Sequence, residues 1–159
     1  MKIYTLKAIQ FLPISLDEAW AFFSDPNNLQ NITPPDMQFR TLSGADRPLF
    51  AGQVLTYTIT PLLGFKMSWV TEITHVSPGH YFVDEQRFGP YAFWHHKHFF
   101  REVPGGVEME DVVDYALPLG FLGRMIQPYL VQPKLAKIFE FRRAKLLSLF
   151  GAFEITQKS

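Results

Sequence analysis

Residues 91–117 read YAFWHHKHFFREVPGGVEMEDVVDYAL, two runs of strand-forming residues joined by Pro104-Gly105-Gly106. Three histidines fall at 95, 96 and 98, among the rings of Phe93, Trp94, Phe99 and Phe100. In an extended chain, successive side chains point to opposite faces. One face of 91–103 then carries Phe93, His95, Lys97, Phe99 and Arg101, and its charges mark it as the wet side. The other carries Trp94, His96, His98 and Phe100 and reads as interior. In the run 107–117, Glu108, Glu110 and Asp114 share the outer face with Val112 and Ala116. Met109, Asp111, Val113, Tyr115 and Leu117 then turn inward. The Pro-Gly-Gly turn makes the two runs an antiparallel hairpin whose register brings the neighbourhood of 98 to that of 111. A buried aspartate beside buried imidazoles is stable only where each satisfies the other's hydrogen bonds.

The same signals recur upstream. Pro78-Gly79 and Gly89-Pro90 set off a strand at 80–87 that places Phe82, Asp84 and Gln86 on one face. Before it come 65–76 with Trp69, a turn at Pro61–Gly64, and 53–60 with Leu55, Tyr57 and Ile59 on one face. Strands at 37–42 and 3–11 complete the set, separated by a turn-rich stretch at 43–52 and by two short helices. Ser15, three residues before Glu18, opens the first helix, and its apolar stripe ends in Trp20 and Phe23, which dock it on the sheet. Asp25-Pro26 starts the second, about 26–31, and Thr33-Pro34-Pro35 stops it; this helix–break–helix region either closes one end of the sheet or gates the mouth of a pocket.

Beyond Pro118 the character changes. Residues 119–150 favour helix, with Leu135, Ile138, Phe139, Arg142, Leu146 and Leu149 at a spacing near 3.6. Pro128 and Pro133 predict a kink or split in its first half. Of Arg142 and Arg143, one could reach a carboxylate, though snorkelling to solvent is the commoner outcome, and 155–159 are expected to fray. This order predicts an α+β architecture: a curved antiparallel sheet of about seven strands wrapped around a long C-terminal helix. A hollow between sheet and helix is where a ligand would sit.

Composition bounds the function. The 159 residues suit one domain spanning 1–159, and 15 basic against 15 acidic residues leave no surplus to neutralise phosphates, so nucleic acid is not expected as a partner. There is no cysteine, hence no disulfide and no thiolate metal ligand. No run approaches the about eighteen apolar residues of a membrane span, and Lys2 and Lys7 break any signal-peptide pattern. Stable membrane insertion is not expected, and the cytoplasm is the expected location. Aromatic residues make up 16% of the chain, Phe alone numbering 16, and such rings wall a cavity as readily as they fill one.

The run FVDEQRFGPYAFWHHKHFF followed by VPGGVEMEDVVDYALPLGFLGR resembles the SRPBCC superfamily of helix-grip ligand-binding proteins. More narrowly it is similar to the bacterial polyketide cyclase/dehydrase-like branch, related to START lipid-transfer domains. The resemblance rests on Asp84, Gln86, Gly89 and Pro90, then on Trp94, His96, His98 and Phe100. Gly106, Asp111, Tyr115, Pro118 and Gly123 continue it, as does SLDEAWAFFSDPNNL at 15–29. It implies a helix-grip fold and a cavity for a hydrophobic ligand, and carries over no catalytic set.

The ligand-lining candidates are Tyr57, Trp69, Phe82, Asp84, Gln86, Trp94, His96, His98, Phe100, Asp111, Val113, Tyr115 and Ile138. His-x-His on a strand also aims two imidazoles the same way, and Asp111 offers a third metal ligand. The reading adopted is that these groups hydrogen-bond one another and a ligand, with no metal and no cofactor. Binding of a polyketide, isoprenoid, quinone or lipid-like molecule is the expected function. The alternative is a cyclase/dehydratase that uses His96 or His98, oriented by Asp111, as its acid–base, with Tyr57 or Tyr115 polarising a carbonyl. A further alternative is a regulatory or chaperone-like partner protein.

Overall fold

Strand-forming alternation and glycine turns carry the chain through seven antiparallel strands: β1 (Tyr4–Leu12), β2 (Arg40–Ser43), β3 (Gln53–Ile59), β4 (Met67–Ser77), β5 (Tyr81–Phe88), β6 (Phe93–Val103) and β7 (Gly106–Ala116). The computed structural model describes residues 1–60 and 64–154. The turn expected at 61–63 and the frayed tail expected at 155–159 lie outside the described residues.

The strands lie in the order β1-β7-β6-β5-β4-β3-β2 in a single sheet. Each of β2 to β7 pairs with its sequence neighbour, and only β1 makes a long-range pairing, to β7. Irregularities in β4, between Val70 and Thr71 and between Ile73 and His75, break the ladder with β5 and help the sheet to curve. Pro104 ahead of Gly105, at φ 92°, suits a type II turn between β6 and β7. Gly106 must lack a side chain, since a Cβ there would run into the carbonyl of Leu12 in β1. The resulting register sets His98 opposite Asp111, His96 opposite Val113 and Trp94 opposite Tyr115.

Helix α1 (Leu16–Phe23) opens with the expected capping box: Glu18 N–H donates to Ser15 Oγ, and Ser15 N–H to Glu18 Oε2. A 3₁₀ helix at Pro26–Ile32 follows. The strand expected at 37–42 is displaced to Arg40–Ser43, because Pro35–Met37 forms a 3₁₀ turn and Gln38 takes the left-handed conformation. Two other strands start late, at Met67 rather than 65 and at Phe93 rather than 91.

The C-terminal helix is split where its prolines require. Helix α2 (Gly120–Ile126) runs through a π-helical turn at Gln127–Val131, which contains Pro128, into α3 (Gln132–Phe150), which has Pro133 in its first turn. Along α3, Leu135, Arg142 and Leu146 are buried. Leu149 departs from the expected stripe and is 46% exposed. There the helix leaves the sheet, and Phe150 takes over the packing, edge-on to Phe22 at 5.1 Å.

Beneath the second half of α3 the interior is solid. Leu12, Ala19, Phe100, Val107, Met109 and Leu146 form one packed cluster, with Trp20 edge-on to Phe82 and Phe100. Two further clusters, around Tyr57 and Ile73 and around Val113 and Leu135, leave a gap between them under the first half of the helix.

Candidate functional site

That gap is a cavity of about 200 Å³. Its walls are mostly apolar. Leu55, Tyr57 and Ile59 of β3 face Leu135, Ile138 and Phe139 of α3 across it, and the 3₁₀ helix contributes Pro26, Leu29 and Ile32. Trp69 and Trp94 stand edge-on at 5.3 Å, with Tyr91 packed against both. Trp69 Nε1–H is satisfied by Thr71 Oγ1 at 2.9 Å, so the indole presents carbon to the space.

One part of the wall is polar. Three neighbouring strands meet there: Asp84 on β5, His96 and His98 on β6, Asp111 on β7. Each carboxylate sits opposite one histidine in the ladder and bonds diagonally to the other. Asp84 is opposite His96 and accepts from His98 Nε2 at 2.8 Å. Asp111 is opposite His98 and bonds His96 Nε2 at 2.9 Å. His98 Nδ1 lies 2.9 Å from Asp111 Oδ1, out of line for a directed hydrogen bond, and His96 Nδ1 lies 3.5 Å from Asp84 Oδ2. The two rings overlap with centroids 3.7 Å apart, and Phe82 stacks on the far side of His98 at 4.0 Å.

Arg142 closes the cluster from above. Of the two outcomes open to it, it takes the rarer: it is 8% exposed and reaches a carboxylate rather than solvent. Its Nη1 lies 3.5 Å from Asp111 Oδ1 and its plane rests over Phe23 and Phe139. The helix phase that buries Leu135 and Leu146 buries position 142 as well, and the Asp111 carboxylate beneath compensates the charge. Nothing local in the sequence marks this, since the partner lies 31 positions away.

Protonation follows from these contacts. Burial opposes charge on Asp111, but Arg142 and the two imidazoles outweigh it and hold the carboxyl well below the usual range. Asp84 is lowered too, burial being overcome by His96 and His98. For His98, burial is overcome by the hydrogen bonds to Asp111 and Asp84, and its proton affinity rises. For His96, burial and the neighbouring His98 charge prevail, and its affinity falls. Burial first, then Asp84, pushes the Tyr57 phenol upward, so it stays a neutral hydroxyl.

No protein-family model and no curated protein matches the sequence. Solved structures match it along nearly its whole length. A protein of Chromobacterium violaceum shares 16% identity at a TM-score of 0.70, over 93% of this chain and 98% of that one. Norcoclaurine synthase of Thalictrum flavum, solved with a transition-state analogue, shares 13% at 0.64, over 93% and 96%. The di-domain ARO/CYC protein StfQ of the steffimycin biosynthetic pathway shares 12% at 0.64, over 94% of this chain and 53% of StfQ.

The chain has the helix-grip fold. Within that helix-grip frame, the candidates from sequence divide into two groups. Tyr57, Trp69, Phe82, Asp84, Trp94, His96, His98 and Ile138 line the cavity. Gln86, Phe100, Asp111, Val113 and Tyr115 do not, each for a physical reason. Gln86 is spent on the turn, its amide donating to Tyr91 O and accepting from Tyr91 N–H. Phe100 lies in the solid half of the core, and Val113 is sealed in the cluster with Leu135. The Tyr115 hydroxyl is bonded by Gln127 Nε2 at 2.9 Å from the π-helical turn. Asp111 lies behind the histidines rather than beside the space. Tyr91, Phe139 and Arg142 line the cavity and were not among the candidates. Alternation from 91 puts Tyr91 on the outer face with Phe93 and His95, but the strand begins only at Phe93 and the phase does not extend to it; Phe139 had a signal, since it lies on the same helical stripe as Ile138.

As a metal-binding group, Asp84, His96 and His98 could bring one ligand atom each within 4.8 Å of one another. Asp84, not Asp111, therefore takes the third position of any such triad. Among the described residues, no helix is long and apolar enough to cross a membrane.

Proposed function

We propose that the chain binds a small hydrophobic molecule in this cavity, a polyketide, isoprenoid, quinone or fatty-acyl compound, acting as a single cytoplasmic domain without a cofactor. The observation that carries the reading is the mostly apolar pocket of about 200 Å³ between sheet and helix, with one polar spot in its wall. StfQ and norcoclaurine synthase, which share the fold, are named for biosynthetic work on small organic molecules. Fold alone does not transfer their chemistry.

The test is uptake of the neutral fluorophore N-phenyl-1-naphthylamine, together with native mass spectrometry of the purified protein. Saturable fluorescence that is abolished in Ile138→Trp, which fills the space from α3, supports the proposal. A linear response, equal in both proteins, refutes it.

A second reading, acid–base turnover of the cyclase/dehydratase kind, draws on the opposite shifts of His96 and His98. Adjacent groups whose proton affinities are driven apart are how one site holds both an acid and a base. Turnover would fall far more than affinity in a His96→Ala variant, whereas a binding protein shows the reverse. The partner-protein reading would use the exposed Leu119, Phe121 and Leu122 of the α2 region and would survive Ile138→Trp.

A further inference from the structure

The four ring nitrogens and two carboxylates of the cluster fix how many protons it holds. Three nitrogen–oxygen distances are short: 2.8 Å from His98 Nε2 to Asp84, and 2.9 Å to Asp111 from both His96 Nε2 and His98 Nδ1. The fourth, from His96 Nδ1 to Asp84 Oδ2, is 3.5 Å. A nitrogen that carries hydrogen is drawn to a carboxylate oxygen, and one that carries a lone pair is pushed from it. Two protons follow from directed hydrogen bonds, one on His96 Nε2 and one on His98 Nε2; a third, on His98 Nδ1 at 2.9 Å from Asp111 but out of line with it, is the one that balances the charge. With Asp84 and Asp111 ionised and Arg142 charged, the cluster then has no net charge. A fourth proton would leave an unbalanced buried cation, and one proton fewer would set a lone pair against a carboxylate at under 3 Å. His96 is thereby assigned the Nε2–H tautomer from its hydrogen-bond pattern. The opposite shifts of the two histidines agree with the count.

The count leaves two acceptors facing each other with no hydrogen between them: His96 Nδ1 and the Asp84 carboxylate. Both residues line the cavity, and Asp111 does not. In a mostly apolar pocket two opposed acceptors call for a donor. We infer that this pair is the polar anchor of the ligand and that it takes a neutral O–H, so that the bound molecule is an alcohol, enol or phenol on an apolar skeleton. The inference rests on the hydrophobic-ligand reading and narrows it. A bare carbonyl brings only further lone pairs to the spot. A carboxylate brings a third negative charge beside Asp84, while the two cations of the cluster, His98 and Arg142, are already matched to Asp84 and Asp111.

Calorimetry on the full chain with three probes of one skeleton separates these classes: naphthalene, 2-naphthol and 2-naphthoate. The expected result is that 2-naphthol binds roughly 10-fold more tightly than naphthalene, as one buried hydrogen bond to a charged or basic acceptor provides. In Asp84→Asn that preference shrinks while naphthalene binding persists. Two-bond ¹H–¹⁵N spectra of the wild-type protein, which need no variant, should show His96 protonated at Nε2 alone. Equal binding of 2-naphthol and naphthalene, tightest binding of 2-naphthoate, or a His96 protonated at Nδ1 each overturns the inference. So does zinc bound stoichiometrically at Asp84 and His96, because the metal would consume the lone pair. All four leave uptake of N-phenyl-1-naphthylamine untouched, and its loss is the separate failure of the parent proposal.

Discussion

The two faces of the β6–β7 hairpin are built on one ladder from the same residue types, yet their charges live in different worlds. Outside, Lys97 Nζ meets Asp114 Oδ2 at 2.7 Å, and Arg101 forks onto Glu108 at 2.8 Å, each pair keeping part of its surface in solvent. Inside, Asp111, three positions from both Asp114 and Glu108 on the same strand, is buried against two imidazoles and a guanidinium. Exposed pairs trade protein contacts for equally good hydration, so they are worth little. Enclosed pairs have no such alternative: their net gain is small while intact, and the loss is large when one partner is removed. Position on the pleat, not residue type, sets which regime applies.

The largest expected effect tests the inner face. Asp111→Ala strands the His98 and Arg142 charges and should cost about 3–5 kcal/mol of unfolding free energy, measured by urea denaturation at neutral pH. A loss under 1 kcal/mol would mean that water reaches the cluster and that the two faces do not differ as described.

The second effect is in pH. The lowered carboxyls of Asp84 and Asp111 contribute stability that is complete above the ordinary value of 3.8 and is lost as pH falls through their lowered values. His96, lowered from 6.5, works in the same sense, since the unfolded chain takes up its proton first as pH falls. His98, raised from 6.5, contributes stability that is complete below that value and is lost as pH rises through its raised one. Stability should therefore decline on both sides of neutrality. The alkaline limb should flatten in His98→Gln, read from urea midpoints across the pH series, and an unchanged limb would contradict the assignment.

The smallest effect belongs to the outer face. Asp114→Ala, which removes the Lys97 pair and the Thr5 hydrogen bond, should cost no more than about 1 kcal/mol, and less at high salt. A loss as large as that of Asp111→Ala would erase the comparison.

Much of the fold was legible because its causes are local. Alternation named the inward row of Trp94, His96, His98 and Phe100. The Pro104–Gly106 turn gave a register that set His98 against Asp111, and the Ser15–Glu18 capping box and the prolines of 128 and 133 placed helix boundaries and the split. Alternation could not separate a side chain that lines a cavity from one buried beside it. It put Phe100 and Val113 in the same class as Trp94, although they lie in solid core. It also gave Gln86 to the ligand, whereas the turn to Tyr91 claims that amide.

The sequence by itself determined which side of each strand is apolar, where the turns fall and that a long broken helix ends the chain, since each depends on residues a few positions apart. Only the tertiary structure decided that Arg142 is buried over Asp111, that Asp84 lines the open space together with the two histidines, and that the hollow lies under the first half of α3 rather than the second. Those outcomes depend on how far a curved sheet stands from the helix that crosses it, a distance set jointly by strands, bulges and helix phase and written in no single segment.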